Sequence, residues 1–144
     1  MSAAPHRWPV RVYYEDVDLA GIVYYANYLR FIERARSEMV RAAGIDQAAM
    51  RADGLVFAVS RVEADYRAPA RYDDALVVET VLAEGGGARF RMDQRVTREG
   101  AALFEARVWI VCMDLAGRPR RLPAAVRAMA GGSEPGESRA RWGG

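Results

Sequence analysis

The residues best suited to chemistry are concentrated in one short segment, residues 13–28, which holds three acids and five tyrosines. Its acids are Glu15, Asp16 and Asp18. A carboxylate can act as a general base or as a nucleophile, and a helix N-terminus beside it offers free backbone N–H groups for an oxyanion. Carboxylates at a strand-to-helix junction also serve as turn formers and helix caps. The residue types alone leave both interpretations open.

The scarcity of histidine and cysteine limits which catalytic groups and metal sites the chain can have. The chain has one His and one Cys, which excludes a disulfide framework and a Cys/His zinc site, so we expect a cytoplasmic protein without a metal or cofactor. Cys112 lies in the apolar run Val108–Met113 and His6 lies near the chain end, so we do not expect them to form a nucleophile–base pair. We therefore expect any catalytic groups to be carboxylates, hydroxyls or backbone groups.

The basic residues argue against a nucleic-acid surface. All 21 are Arg, and with 19 acids the net charge is only +2. Arg89, Arg91 and Arg95 alternate along a predicted strand, a pattern typical of the side that faces solvent.

The length of 144 residues, 51% of them hydrophobic, predicts one folded domain with a proper core. The longest apolar run has six residues, whereas a membrane span needs about 20. The N-terminus also lacks the pattern of a secretory signal. We expect a flexible N-terminal end over 1–8, a single domain over 9–130 and a disordered tail rich in Gly, Ser and charge over 131–144.

A strand, a long helix and four further strands must position these residues. Alternation predicts the first strand over 10–15, and apolar residues at helical spacing predict a helix near Tyr28, with Arg36 on its polar face. Period-two patterns then predict a strand over 55–67 and three more, joined by Gly-containing turns. The result is an α+β fold with one helix on a five-stranded antiparallel sheet. An edge strand exposes unpaired backbone N–H and C=O groups that a second copy could pair with, so we expect a homo-oligomer.

Two stretches of the sequence resemble a known family. YYEDVDLAGIVYYANYLRFIERARSEM and VEADYRAPARYDDALVVET are similar to the signatures of hotdog-fold acyl-CoA thioesterases, in the branch of YbgC and 4-hydroxybenzoyl-CoA thioesterase. The resemblance covers about residues 9–122. It implies a hotdog fold, in which the sheet wraps the long helix, and hydrolysis of an acyl-CoA to the free acid and CoA.

The resemblance also implies roles for particular residues. Asp18 matches the catalytic carboxylate, in preference to Asp16, and acts either as nucleophile or as general base. Tyr25 matches the helix-start position whose backbone N–H polarises the thioester carbonyl, and Gly21 belongs to the same substrate-positioning motif. Many YbgC-like members have His where this chain has Tyr25, so a catalytic role of that His would be missing here.

Further expectations concern the substrate and the partners. Arg89 and Arg91 match the region where hotdog thioesterases bind CoA phosphates, and Arg118 to Arg121 form a second basic patch. The family forms dimers or tetramers of hotdog dimers, with the site between two subunits. A hotdog hydratase would need an Asp/His pair, and no suitable His is present. The remaining alternative is a non-catalytic module that binds acyl-CoA or an acyl-carrier protein.

Overall fold

A five-stranded antiparallel sheet forms the framework of the protein, in a computed structural model that describes residues 4–129. The strands are β1 (His6–Arg11), β2 (Leu55–Tyr66), β3 (Ala75–Gly86), β4 (Arg89–Arg98) and β5 (Ala101–Asp114). Their order across the sheet is β1-β3-β4-β5-β2. The sequential hairpins β3–β4 and β4–β5 form its centre, and β2 returns to pair with β5 at one edge.

One long helix lies against this sheet. The helices are α1 (Asn27–Ala42), α2 (Gln47–Ala52) and α3 (Ala124–Met129). The predicted apolar face of α1 is buried, through Tyr28, Phe31, Ile32 and Ala35. The arrangement confirms the predicted α+β fold, with a five-stranded sheet wrapped around one long helix. No helix of the described residues is both long and apolar enough to cross a membrane.

A buried glutamine ties α1 to the sheet. The Gln94 side-chain N–H group donates to the Ile32 carbonyl at 2.9 Å and to the Thr80 hydroxyl at 3.0 Å. Its amide oxygen accepts from Arg36 at 3.0 Å. Both donors and the carbonyl are therefore used, which a buried amide requires. The position of the helix on β3 and β4 is fixed by this network as well as by apolar packing.

The first strand lies earlier in the chain than alternation predicted. β1 begins at His6 because its residues pair with β3, His6 opposite Thr80, so part of the end predicted to be flexible over 1–8 belongs to the sheet. The chain leaves the sheet after Arg11 and forms a 3₁₀ turn over Tyr14–Asp16. The tail predicted to be disordered, over 131–144, lies outside the described residues.

Edge strand β2 carries a bulge that interrupts its alternation. The register with β5 shifts between Val59 and Arg61, and the Ser60 hydroxyl donates to the Trp109 carbonyl at 3.3 Å. The extra residue places Val59 and Val62 on the wall of one cavity, although they are three positions apart. The strict alternation predicted over 55–67 is wrong at this point. The side of β2 away from β5 pairs with no other strand of the described chain.

Candidate active site

The loop between β1 and α1 forms a tight turn around Asp18. The Asp18 N–H donates to the Ile22 carbonyl and the Gly21 N–H donates to the Asp18 carbonyl, both at 3.0 Å. The Ala20 N–H donates to Asp18 Oδ1 at 2.8 Å. Gly21 has φ of +78°, a left-handed conformation that favours glycine. Asp18 is thus a turn former, and its carboxylate is held in place by the turn that it builds.

A second segment, residues 69–74, anchors this loop. The Val23 N–H donates to the Ala70 carbonyl at 2.8 Å, and Ile22 bridges to Arg71. The Asp74 carboxylate accepts from the Arg71 N–H at 2.8 Å and from Arg98 at 2.7 Å. Burial raises the pKa of Asp74, but these hydrogen bonds and the Arg98 charge outweigh it, so that pKa lies below its ordinary value. The loop is therefore hydrogen-bonded to a segment that an ion pair between Asp74 and Arg98 holds in place.

Asp16, the rival carboxylate, has a structural role. Its Oδ2 atom accepts from the Tyr13 N–H at 2.8 Å. Its carbonyl accepts from the Tyr24 N–H at 2.9 Å and from the Asn27 amide at 3.0 Å. Asp16 thus caps the 3₁₀ turn and holds the start of α1, and it does not line the cavity described next.

Asp18 and Tyr25 line the same cavity, which has a volume of about 410 Å³. The other lining residues come from the loop, from α1, from the last residue of β2 and from the chain that follows it: Ile22, Val23, Tyr24, Tyr28, Tyr66, Arg67, Ala68 and Pro69. The wall is mostly aromatic and apolar, and Asp18 is the sole carboxylate among its residues. Gly21 shapes the Asp18 turn without lining the cavity.

Hydrogen bonds hold both peptide groups that flank Tyr25. The Asn27 N–H donates to the Tyr24 carbonyl at 2.8 Å. Because a trans peptide directs its N–H opposite to its carbonyl, this bond fixes the direction of the Tyr25 N–H. Tyr66 Oη donates to the Tyr25 carbonyl at 2.9 Å. Within residues 4–129 the Tyr25 N–H itself donates to no oxygen. It is a fixed, unused donor at the positive end of a 16-residue helix.

Tyrosine hydroxyls and rings reinforce this helix start. Tyr28 stacks on Phe104 with ring centroids 4.9 Å apart, and its hydroxyl accepts from the Ala70 N–H at 3.0 Å. Burial raises the pKa of Tyr28. A hydrogen bond with Tyr25 raises the pKa of Tyr24, and the nearby charge of Asp18 contributes. These hydroxyls therefore stay protonated near neutral pH and act as hydrogen-bonding and packing groups.

The two arginines predicted to bind CoA phosphates have different environments. Arg89 is exposed at the start of β4. Arg91 is buried, with a 4% exposed side chain, and it donates to Asp93 at 2.9 Å and to Glu84 at 3.1 Å. The prediction that Arg89, Arg91 and Arg95 face solvent is wrong at Arg91, because its guanidinium pairs with Asp93 and Glu84 and lies over the Trp109 ring. Its guanidinium is used in ion pairs, so we do not propose it as a phosphate ligand.

Arg89 also lies far from Asp18 within one chain. It pairs with Gly86 and Val111, near the beginning of β2, whereas the Asp18 cavity adjoins Tyr66 at the end of β2. Sequence reasoning did not anticipate this separation, since strand patterns do not reveal which end of a sheet a residue occupies.

The cysteine and the histidine lie in separate structural positions. Cys112 is fully buried in β5, and burial raises the pKa of its thiol, which disfavours the nucleophilic thiolate. His6 lies in β1, the edge strand opposite β2. The structure thus agrees with setting both aside as catalytic groups.

Known proteins match this chain over most of its length. A model of the thioesterase-like superfamily matches residues 12–129. The Escherichia coli acyl-CoA thioester hydrolase YbgC is 43% identical over 130 residues, 89% of this chain and 97% of that protein. The Haemophilus influenzae acyl-CoA thioesterase YbgC is 42% identical over 123 residues, 84% and 90% of the two chains.

A solved structure agrees with these sequence matches. The probable thioesterase from Bartonella henselae has a TM-score of 0.79 and 38% identity, covering 83% of this chain and 100% of that one. Together with the five-stranded sheet around α1, these matches establish the fold and the family. The chain belongs to the hotdog-fold acyl-CoA thioesterases of the YbgC family, within the thioesterase-like superfamily.

Proposed function

We propose that this protein hydrolyses an acyl-CoA thioester, with Asp18 as the catalytic carboxylate and the Tyr25 N–H as the oxyanion donor. One observation carries the proposal: Asp18 and Tyr25 line the same largely apolar cavity, and the backbone N–H of Tyr25 is an unused donor within residues 4–129. Similarity to two YbgC acyl-CoA thioesterases over more than four-fifths of the chain supports the reaction class.

The chemistry suits so small a set of groups. A cysteine thiol has a pKa of about 8.5, and the thiol of CoA is likewise far more acidic than an alcohol, so its thiolate leaves without strong acid help. Asp18 either takes a proton from the attacking water or itself attacks the carbonyl carbon to form an anhydride that water then opens. In both routes a carbon–oxygen bond forms, the carbon–sulfur bond breaks, and the thiolate finally gains a proton. The Tyr25 N–H stabilises the negative oxygen on the way.

We also propose that two copies pair through β2. The strand is 12 residues long and its outer edge is unpaired within the described chain. A two-fold antiparallel pairing reverses one copy, so the end with the Asp18 cavity lies beside the end of the other copy that carries Arg89. Such a pairing brings Arg89 toward the bound CoA, where its guanidinium would contact a phosphate. A cytoplasmic location stays a prediction from the sequence.

An acyl-CoA panel with thiol-release detection tests the reaction. We expect wild-type hydrolysis of at least one substrate, and we expect Asp18→Asn to lower kcat about 10²- to 10⁴-fold, the range for loss of a general base or nucleophile. Glu15→Gln is the matched control, because Glu15 is exposed and does not line the cavity. Full activity of Asp18→Asn on every substrate would remove Asp18 from the mechanism. Binding of acyl-CoA without any turnover would favour a non-catalytic module.

A further inference from the structure

A second cavity, of about 420 Å³, lies between α1 and the sheet. Its wall is largely aliphatic and aromatic, with Phe57 and Phe90 in edge-to-face contact 5.5 Å apart. Leu29 lines this cavity and Tyr25 lines the Asp18 cavity. Tyr28, the residue before Leu29 on α1, also lines the Asp18 cavity, so consecutive residues of the helix line the two cavities.

The polar residues on this largely apolar wall are Arg36, Glu33, Ser37 and Gln47, and Glu33 is exposed to solvent. Arg36 is largely covered, and its one hydrogen bond within residues 4–129 goes to the Gln94 amide oxygen, at 3.0 Å. No carboxylate of the described residues forms an ion pair with it. Burial lowers the pKa of Arg36, and the charge of Glu33 only partly offsets this effect. A guanidinium has five N–H donors, so four remain for other partners.

The position of this cation is set by the core. Both donors of the Gln94 amide are used by Ile32 and Thr80, so the amide cannot rotate without losing them. Its oxygen thus holds Arg36 in one place. A cation in an apolar cavity is costly unless an anion compensates it. In the chain alone that compensation is incomplete, and a forked donor of this kind matches a carboxylate.

From this geometry we infer that the second cavity takes the acyl group of the substrate and that Arg36 selects acyl groups ending in a carboxylate. The inference rests on the proposed thioesterase function and names its substrate class: CoA monothioesters of short dicarboxylic acids. Arg36 acts on specificity and makes no bond to the reacting carbonyl.

Two substrates of the same shape test the inference. Glutaryl-CoA carries the carboxylate, and a neutral analogue replaces its carboxyl group with an isopropyl group. We expect wild-type kcat/KM to be at least tenfold higher for glutaryl-CoA. Arg36→Met is expected to lower kcat/KM for glutaryl-CoA at least tenfold, mainly through KM, while the value for the neutral analogue stays within about threefold. Arg36→Lys, which keeps the charge, is expected to retain part of the preference.

The control is Arg34→Met, because Arg34 is exposed on α1 and lines neither cavity. It should leave both substrates unchanged. A wild-type enzyme that prefers the neutral analogue would overturn the inference, as would an equal loss for both substrates in Arg36→Met. A change in oligomeric state with unchanged preference would also overturn it, because Arg36 would then pair with a second copy.

The binding assay separates this inference from the proposed function. Calorimetric titration of Asp18→Asn with the two thioesters measures selectivity without turnover, and we expect tighter binding of glutaryl-CoA. Neutral acyl-CoA hydrolysis without selectivity would refute the role of Arg36 and leave the thioesterase function intact. Selective binding of glutaryl-CoA without hydrolysis of any substrate would support the role of Arg36 and refute the proposed thioesterase function.

Discussion

Replacing Tyr66 by Phe removes one hydrogen bond at the start of α1 and little else. The Tyr66 hydroxyl donates to the Tyr25 carbonyl at 2.9 Å, and the ring packs against Phe104 at a centroid distance of 4.9 Å. The Phe ring keeps the packing. The peptide after Tyr25 loses its tether to β2, so the first turn of the helix is less precisely placed relative to Asp18.

The size of the effect follows from the geometry. A neutral hydrogen bond contributes about 0.5–1.5 kcal/mol, and about 1.4 kcal/mol corresponds to a tenfold change in rate. If the tether aligns the oxyanion donor, kcat should fall roughly two- to tenfold. The carbonyl belongs to Tyr25, which is exposed, so water can replace the lost donor and the free energy of unfolding should change by less than about 1 kcal/mol.

The assay is steady-state thioester hydrolysis combined with urea unfolding. Tyr72→Phe is the control, because Tyr72 is exposed and lies outside the cavity. An unchanged kcat in Tyr66→Phe would refute the idea that the tether aligns the donor. A loss of stability larger than about 1.5 kcal/mol with unchanged kcat would show that the hydroxyl has a purely structural role.

Two further predictions concern the support beneath the site. Tyr28→Phe leaves the buried Ala70 N–H without its acceptor, so we expect the free energy of unfolding to fall by about 1–3 kcal/mol, measured by urea denaturation. The pKa of Asp74 is below its ordinary value of 3.8, so its ionised form stabilises the folded state above that pH, and this stability is lost as the pH falls through the lower, folded-state value. Unfolding measured from about pH 7 to about pH 3 should therefore show wild type and Asp74→Asn converging at the acid end; a constant difference would contradict the role assigned to Arg98 and Arg71.

Local patterns predicted the framework correctly where local physics decides the structure. The apolar spacing from Tyr28 onward gave the helix, since one face had to be buried. Glu99 and Gly100 turn between β4 and β5 with φ of +51° and +82°, as a tight hairpin requires. Asp46 caps α2 by accepting from two backbone N–H groups, a local contact typical of aspartate before a helix.

The incorrect predictions depend on contacts between distant parts of the chain. Arg91 appeared to face solvent, but its charge is buried and forms ion pairs with Asp93 and Glu84. Arg36 appeared to be on the polar face of α1, but Gln94, 58 residues away, holds it at a cavity. No spacing rule within a helix or a strand reports such a pairing. The same reason explains why the Ser60 bulge escaped detection.

The Asp18 turn is closed by hydrogen bonds among residues 18–22, and the opposite side of the cavity contributes mainly contact surface. The carboxylate of Asp18, which we propose as the catalyst, therefore depends on a stretch of sequence separate from Arg36 and from the strands that surround the second cavity. With the acyl group in that cavity, as we infer, substitutions there would alter which acyl group is accepted while Asp18 keeps its position. The division makes the scaffold evolvable: new substrates can be acquired by point mutation without rebuilding the reaction centre.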